Sequence, residues 1–252
     1  MRPEFGAELY DAVAEVTGRD LDGEAIRVQR AWEAELGPGR HRLLDVACGT
    51  GQHLARFRSH AEVAGADHSA GMLRVAARRL PGVPLHEQPM EHLDVPGEYD
   101  VMTCLLAGIA YPLGESRLHQ ALRRMRRHLR DGGVLVVDPG PSLHTLERLK
   151  PEPLLFEMTG MLVERRTRWS VHRSELVLHH EYRISTAGRR WSMHDLHEVT
   201  LRDLHAHRIA MERAGFEVRL HQPADDMGPL LVGKRVGPAE PGKIVPASVD
   251  RD

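Results

Sequence analysis

The sequence predicts an α/β protein built on a doubly wound, mainly parallel sheet. Three observations predict it. Short apolar runs alternate with helical segments through residues 40–140, the first run ends in a glycine turn that feeds a helix, and after Pro139 the rhythm changes to longer strand-like stretches. Strands separated by helical crossovers pair in parallel with helices on both faces. Right-handed crossovers then favour one ordinary topology, in which ligands bind outside the carboxyl ends of the strands.

Residues 8–35 carry an uneven helical stripe (Leu9, Val13, Val16, then Ile26, Ala31, Trp32), with Gly18 and Gly23 expected to break it in two. Gly37-Pro38-Gly39 stops the helix. Leu43 to Ala47 reads as a buried strand, followed by a helical segment from Gln52 to Arg58. Val63 to Ala66 is a second strand, and Ser69 is placed to cap the helix after it. Val83 to His86 is a third strand, Tyr99 to Leu106 a fourth and Val134 to Asp138 a fifth. Helix 115–130 shows Leu118, Leu122, Met125 and Leu129 on one face and arginines on the other, the latter read as solvated surface.

Strand-like stretches Met161 to Ser170, Glu175 to Ile184 and Arg190 to Thr200 form a small antiparallel insertion, about 155–200. Helix 202–214 and two strands, Phe216 to Leu220 and Leu230 to Lys234, complete the sheet, the pair implying a reversed edge strand. Residues 1–236 read as one domain with an N-terminal helical lid over 1–36, and 237–252 as a disordered tail.

Composition narrows the class. A net charge of −2 offers no attraction for nucleic acid or an anionic membrane. No apolar run approaches the roughly 18–20 residues that cross a bilayer, and the N-terminus lacks the pattern of a secretory signal. Cys48 and Cys104 sit in apolar stretches with no scaffold spacing, which points to the reducing cytoplasm.

The most informative segment is Leu43-Leu44-Asp45-Val46-Ala47-Cys48-Gly49-Thr50-Gly51-Gln52-His53-Leu54. Gly49 and Gly51 let the backbone turn sharply and let a ligand approach without meeting a Cβ. The N–H groups of the following helix favour an anionic group there. Asp45 stands at the strand end, where it can hold an ammonium group, and Asp67 closes the second strand, where its two oxygens suit a vicinal diol. Met72 and Leu73 offer apolar surface beyond it. The dinucleotide fingerprint needs a third glycine where Leu54 stands, which argues against a nicotinamide enzyme.

LLDVACGTGQHLARF resembles motif I of class I S-adenosylmethionine-dependent methyltransferases, GADHSAGML their acidic motif after strand two, and LRDGGVLVVD their motif before strand five. The resemblance implies a seven-stranded Rossmann-like sheet and S-adenosylmethionine as cofactor. Within that superfamily the chain looks most similar to amino-sugar N-methyltransferases of macrolide biosynthesis. That implies Tyr10 over the cofactor, adenine beside Gln88, Pro89 and Met90, and further cofactor contacts from Ala47, His68 and Cys104. The chain departs from the sugar enzymes at Tyr111, where a histidine is usual, at Pro89, and in the acidic loop Asp225-Asp226-Met227-Gly228.

Methyl transfer from a sulfonium needs alignment and a dry pocket, and an amine must also lose its proton before attack. Tyr111, after the fourth strand, is the first candidate to contact the nucleophile. His144 follows strand five. On a strand Asp195 and His197 share a face and can act as base and orienter, whereas His194 and His197 point to opposite faces, so no metal is expected. The expected acceptor is a small natural-product molecule, an amino sugar first, with O- or C-methylation and an inactive binding protein as alternatives. No nucleic-acid or membrane partner is expected, and the exposed insertion predicts a homodimer.

Overall fold

The computed structural model describes residues 4–111, 114–140, 153–222 and 228–237. The chain opens with α1 (Phe5–Val16) and α2 (Leu21–Leu36). Next come β1 (His41–Val46), α3 (Gln52–Phe57), β2 (Ala61–Asp67), α4 (Ala70–Arg79), β3 (Leu85–Glu87), β4 (Tyr99–Cys104), α5 (Gly114–His128) and β5 (Leu129–Val137). Four strands follow, β6 (Leu154–Met158), β7 (Met161–His172), β8 (Glu175–Ser185) and β9 (Arg190–Thr200), and then α6 (Leu204–Arg213), β10 (Phe216–His221) and β11 (Leu230–Arg235).

Seven strands form one sheet in the order β10-β11-β5-β4-β1-β2-β3, and β6 to β9 form a separate antiparallel sheet. The pairs from β5 through β3 are parallel, while β11 runs antiparallel to both neighbours. The reversed strand is therefore β11, one place in from the edge, and not the edge strand itself. β11 pairs antiparallel with both β10 and β5 and fills the place beside β5, leaving β10 outermost.

Strand alternation divides the core between the two faces of the large sheet. Leu44, Val46, Met102, Leu135 and Val137 pack with Leu118, Leu122 and Met125 of α5 and Met211 of α6. Leu43, Val63, Val101, Val134 and Val136 pack with Val28 and Trp32 of α2, Phe57 of α3 and Leu73 of α4. Gly65 lies in β2 because a Cβ there would stand 2.8 Å from both Cys48 Sγ and Leu54 Cδ1. That is closer than any real carbon contact, so the site tolerates no side chain without repacking.

The first helical pair breaks at Gly18 (φ 66°), not at Gly23. Asp20 caps α2 by accepting from the Gly23 N–H at 2.9 Å, and Gly23 lies inside the first turn because a Cβ would strike that carboxylate. Val16 and Ile26, expected in the buried stripe, are exposed, and Ala14 and Val28 take those roles. Ser69 caps α4 and Asp203 caps α6. On the basic face of α5, Arg126 donates to the carbonyls of Gly215 and Val236 and so ties the helix to the last strands.

In the smaller sheet the three expected strands are joined by β6, which was not expected. Its inner face packs Phe156, Val163, Tyr182 and Ile184 against Phe5 and Leu9 of α1. No helix among the described residues is long and apolar enough to cross a membrane. His144, Asp225 to Met227 and the tail beyond Gly237 lie outside the described residues.

Candidate active site

The order of the large sheet reverses between β1 and β4, and a cavity of about 820 Å³ opens at their carboxyl ends. The turn after β1 forms its floor. Ala47, Gly49 and Gly51 all take left-handed backbone (φ 60°, 55° and 76°). In Ala47 that conformation costs about 1–2 kcal/mol. The two glycines serve different ends. A Cβ on Gly49 would meet nothing within 4 Å, so the loop presents bare backbone at the cavity. A Cβ on Gly51 would lie 2.8 Å from Leu80 Cδ1, so that glycine faces the end of α4, away from the cavity.

Asp45 is buried at the cavity wall, and Thr103 on the neighbouring strand donates to its Oδ1 at 2.6 Å. Burial raises its carboxyl to about 6, with Asp67 adding to the rise and the Thr103 hydrogen bond and His53 opposing it. Asp67 accepts from the Gly49 N–H and the Ser69 N–H, both at 2.8 Å, one on each oxygen. Each oxygen keeps a second lone pair for a hydroxyl donor. His68 stands beside it at the rim, mostly exposed, and Met72 and Met90 supply apolar lining.

Besides Gly51, two more expected contacts lie elsewhere. The Gln88 amide donates to the Asp94 carbonyl at 3.0 Å and accepts from the Asp94 N–H at 2.7 Å, so it closes its own loop and does not line the cavity. Cys104 is fully buried, because strand alternation turns it onto the α5 face of the sheet with its thiol packed toward Gly108. Leu105 and Leu106, just beyond it, reach the cavity instead.

Helix α1 lies across the opening. Tyr10 turns its ring to the cavity, and Asp11 accepts from Thr50 Oγ1 and Gln52 Nε2, both at 2.5 Å, and from Arg79 Nη2 at 2.6 Å. The loop before α2 brings in Arg19, which the sequence reading passed over as part of a helix break. Arg19 lines the cavity and is held by Glu24 through two hydrogen bonds of 2.8 and 2.7 Å. Glu24 also meets His53 Nε2 at 3.0 Å. Burial works to raise the Glu24 carboxyl, but the hydrogen bonds from Arg19 and His53 outweigh it and pull it down to about 2. The available signal was an Arg-Asp pair with Glu24 one helical turn beyond the capping aspartate. The result is a fixed cation opposite a buried carboxylate, suited to the two charged ends of an amino acid.

On the far wall, left-handed Leu106 and Ala107 (φ 56° and 59°) lead into a short 3-10 turn, Gly108–Ala110, and then Tyr111. Ala107 and Ala110 pack against Trp169, Leu176, Leu178 and Val199 of the antiparallel sheet. This contact sets Tyr111 against β9, the edge strand that borders the cavity. Tyr111 Oη lies 2.8 Å from His197 Nδ1, and His197 Nε2 lies 3.0 Å from Asp195 Oδ2. The three expected catalytic candidates thus form one hydrogen-bonded chain. Burial pushes the Tyr111 hydroxyl well up, with the nearby Tyr10 and Asp195 adding to it, while the His197 hydrogen bond holds Asp195 below the usual carboxylate range. The outer face of the sheet carries a separate pair, His179 and His194, 3.0 Å apart. Among the described residues no three His, Cys, Asp or Glu side chains converge as a metal site.

Residues 43–133 match the methyltransferase domain family. The chain is 43% identical over 134 residues to a dTDP-4-amino-2,3,4,6-tetradeoxy-D-glucose N,N-dimethyltransferase of Saccharopolyspora spinosa, a match covering 53% of each chain. It is 38% identical over 134 residues to a dTDP-3-amino-3,6-dideoxy-alpha-D-glucopyranose N,N-dimethyltransferase of Streptomyces fradiae, covering 53% of this chain and 52% of that one. The chain spans about half the length of the curated relatives it matches. Among solved structures it is similar to a sugar N-methyltransferase from a Streptoalloteichus species (TM-score 0.81, 32% identity, 90% of this chain and 93% of that one). It is also similar to an amino pentose methyltransferase from Micromonospora echinaspora (TM-score 0.77, 27% identity, 90% and 97%).

The buried ionisable groups set a pH dependence. Asp45, raised to about 6 from the ordinary 3.8, is bound more tightly to its proton in the folded chain, so its contribution to stability falls as pH rises through that window. His180 and His207 work in the opposite sense. Burial, with Arg165 beside the first and Arg202 beside the second, lowers both from 6.5 to about 4, so their contribution is lost as pH falls from 6.5 toward 4. Two groups against one give a net rise in unfolding free energy between pH 4 and 6, and Asp45→Asn is expected to steepen it in urea titrations. An unchanged slope in that variant would show that Asp45 ionises as an ordinary carboxyl.

Proposed function

We propose a function from one premise, that the chain belongs to the class I S-adenosylmethionine-dependent methyltransferases: it moves the cofactor's methyl group to the amine of a small sugar acceptor. The observation that carries the acceptor assignment is the chain Tyr111–His197–Asp195 on the wall facing the cofactor floor. An amine acceptor arrives largely protonated and must lose that proton before it can attack. The names of the relatives, all amino-sugar N,N-dimethyltransferases in the first three, point to the same acceptor class.

The cavity residues fit the cofactor. Arg19, beside the bare backbone at Gly49, would face the methionine carboxylate, and Asp45 its ammonium. Asp67 would take the ribose hydroxyls, with His68 at the rim, Met72 and Met90 against the adenine, and Tyr10 and Ala47 enclosing the sulfonium end. When bound, the sulfonium supplies an already activated methyl group. Tyr111 Oη then accepts the amine proton as its own passes to His197 Nδ1, and Asp195 stabilises the imidazolium that results. His197 and Asp195 are partly exposed, so the proton can leave to water.

The outer face of the antiparallel sheet exposes Leu155 (64%) and Leu162 (43%). A second copy covering that face would make a homodimer, expected as a dimer in sedimentation at micromolar concentration; a purely monomeric profile would remove the idea.

The acceptor is tested by mass spectrometry of nucleotide-linked amino sugars, and of their unlinked amines, incubated with protein and S-adenosylmethionine. A gain of one or two methyl groups on nitrogen is expected. Transfer only to hydroxyl or carbon acceptors would overturn the amine assignment while leaving the family intact. Asp67→Ala is expected to weaken cofactor binding about tenfold to a hundredfold by calorimetry, the loss of hydrogen bonds to a charged group. Near-normal affinity would show that the ribose lies elsewhere.

A further inference from the structure

The register of the antiparallel sheet sets Thr167, His180 and Asp195 side by side on its inner face, one each from β7, β8 and β9. His180 Nδ1 lies 2.9 Å from Thr167 Oγ1. Its ring meets that of His197 at 5.4 Å between centroids and 66° between planes. His197 is already hydrogen-bonded through both nitrogens, to Tyr111 and to Asp195. Two such bonds still leave the imidazole free to rock about the line joining its nitrogens. A neighbouring ring packed against it removes that freedom.

The groups facing His180 are Arg165 from β7, Tyr182 on its own strand, and Asp195 and His197 from β9. Burial and the Arg165 guanidinium hold its imidazole down to about 4, against the smaller pull of Asp195. A neutral ring therefore stands beside His197 near neutral pH. A cation there would oppose proton uptake by His197.

We propose that His180, held by Thr167, is a positioning residue that fixes the His197 imidazole in line with the Tyr111 hydroxyl and keeps its surroundings uncharged. The inference rests on the reading of His197 as proton acceptor. It gives a role to a histidine that does not itself line the cavity.

The test compares pH profiles of kcat for His180→Ala, His180→Asn and Thr167→Val with that of His197→Ala, alongside calorimetry with S-adenosylmethionine and thermal unfolding. His180→Ala is expected to lose about tenfold in kcat, part of what a general base contributes. Its acceptor KM and cofactor affinity should stay within about twofold, the pattern of an interaction lost only in the transition state. The acidic limb of its profile should move, because the uncharged ring beside the proton acceptor is gone. Thr167→Val should show the same changes in smaller measure, and His180→Asn, which keeps a polar partner for Thr167, should recover part of the loss. Wild-type kcat and an unmoved limb in His180→Ala, with His197→Ala impaired, would overturn the proposal alone. Weakened cofactor binding together with a lowered melting temperature would reduce His180 to a structural residue and overturn it too. Full activity in His197→Ala would instead remove the proton-acceptor reading on which it depends.

Discussion

From β1 the chain crosses outward to β2 and β3, then returns to lay β4 on the other side of β1. Crossovers of one hand must therefore leave in opposite directions from adjacent strands, and no helix can cover the gap at their carboxyl ends. The cavity, the placement of the glycine turn and the position of the strand-four loop all follow from that single constraint. Asp45 and Thr103 are register partners on these two strands, so their hydrogen bond spans the place where the sheet order reverses.

The site is assembled at a cost in local stability. Ala47, Leu106 and Ala107 hold left-handed backbone without being glycine, and all three stand at the ends of β1 and β4. Among the described residues Asp45 is buried with a hydrogen bond from Thr103 and no paired cation, while Arg19, paired with Glu24, still faces the cavity. Strain and buried charge of this kind persist only where surrounding packing over-determines them. Here that packing comes from both core layers and from the small cluster that joins Ala107 and Ala110 to the antiparallel sheet.

Much of this was legible in the residues. The glycine turn, Asp45 and Asp67 are local, and strand alternation alone puts Asp195 and His197 on one face of β9. Which way that face pointed was not legible, since it depends on how β6 to β9 dock on α1, a contact far apart in sequence. The strand β6 is short and follows Pro151 and Pro153, so its pattern carried little signal. Gly51 reads like Gly49 in sequence, yet its need for a missing side chain comes from α4, which no local motif reports. Gln88 and Cys104 were placed by resemblance, and their side chains were claimed by nearby packing: an amide clamp on Asp94 and an inward strand position.

Helix α1 touches both halves of the molecule. One side gives Asp11 to Thr50, Gln52 and Arg79 on the glycine loop and α4, and another gives Phe5 and Leu9 to the inner face of the antiparallel sheet. The helix is only 12 residues long, too short to hold its shape alone in water. Its order is thus borrowed from whichever neighbour grips it. A ligand that tightens the glycine loop also firms the surface on which the other sheet rests, and the linkage is reciprocal. The two sides of the cavity share one short helix as common ground, so neither can be loosened without the other registering it.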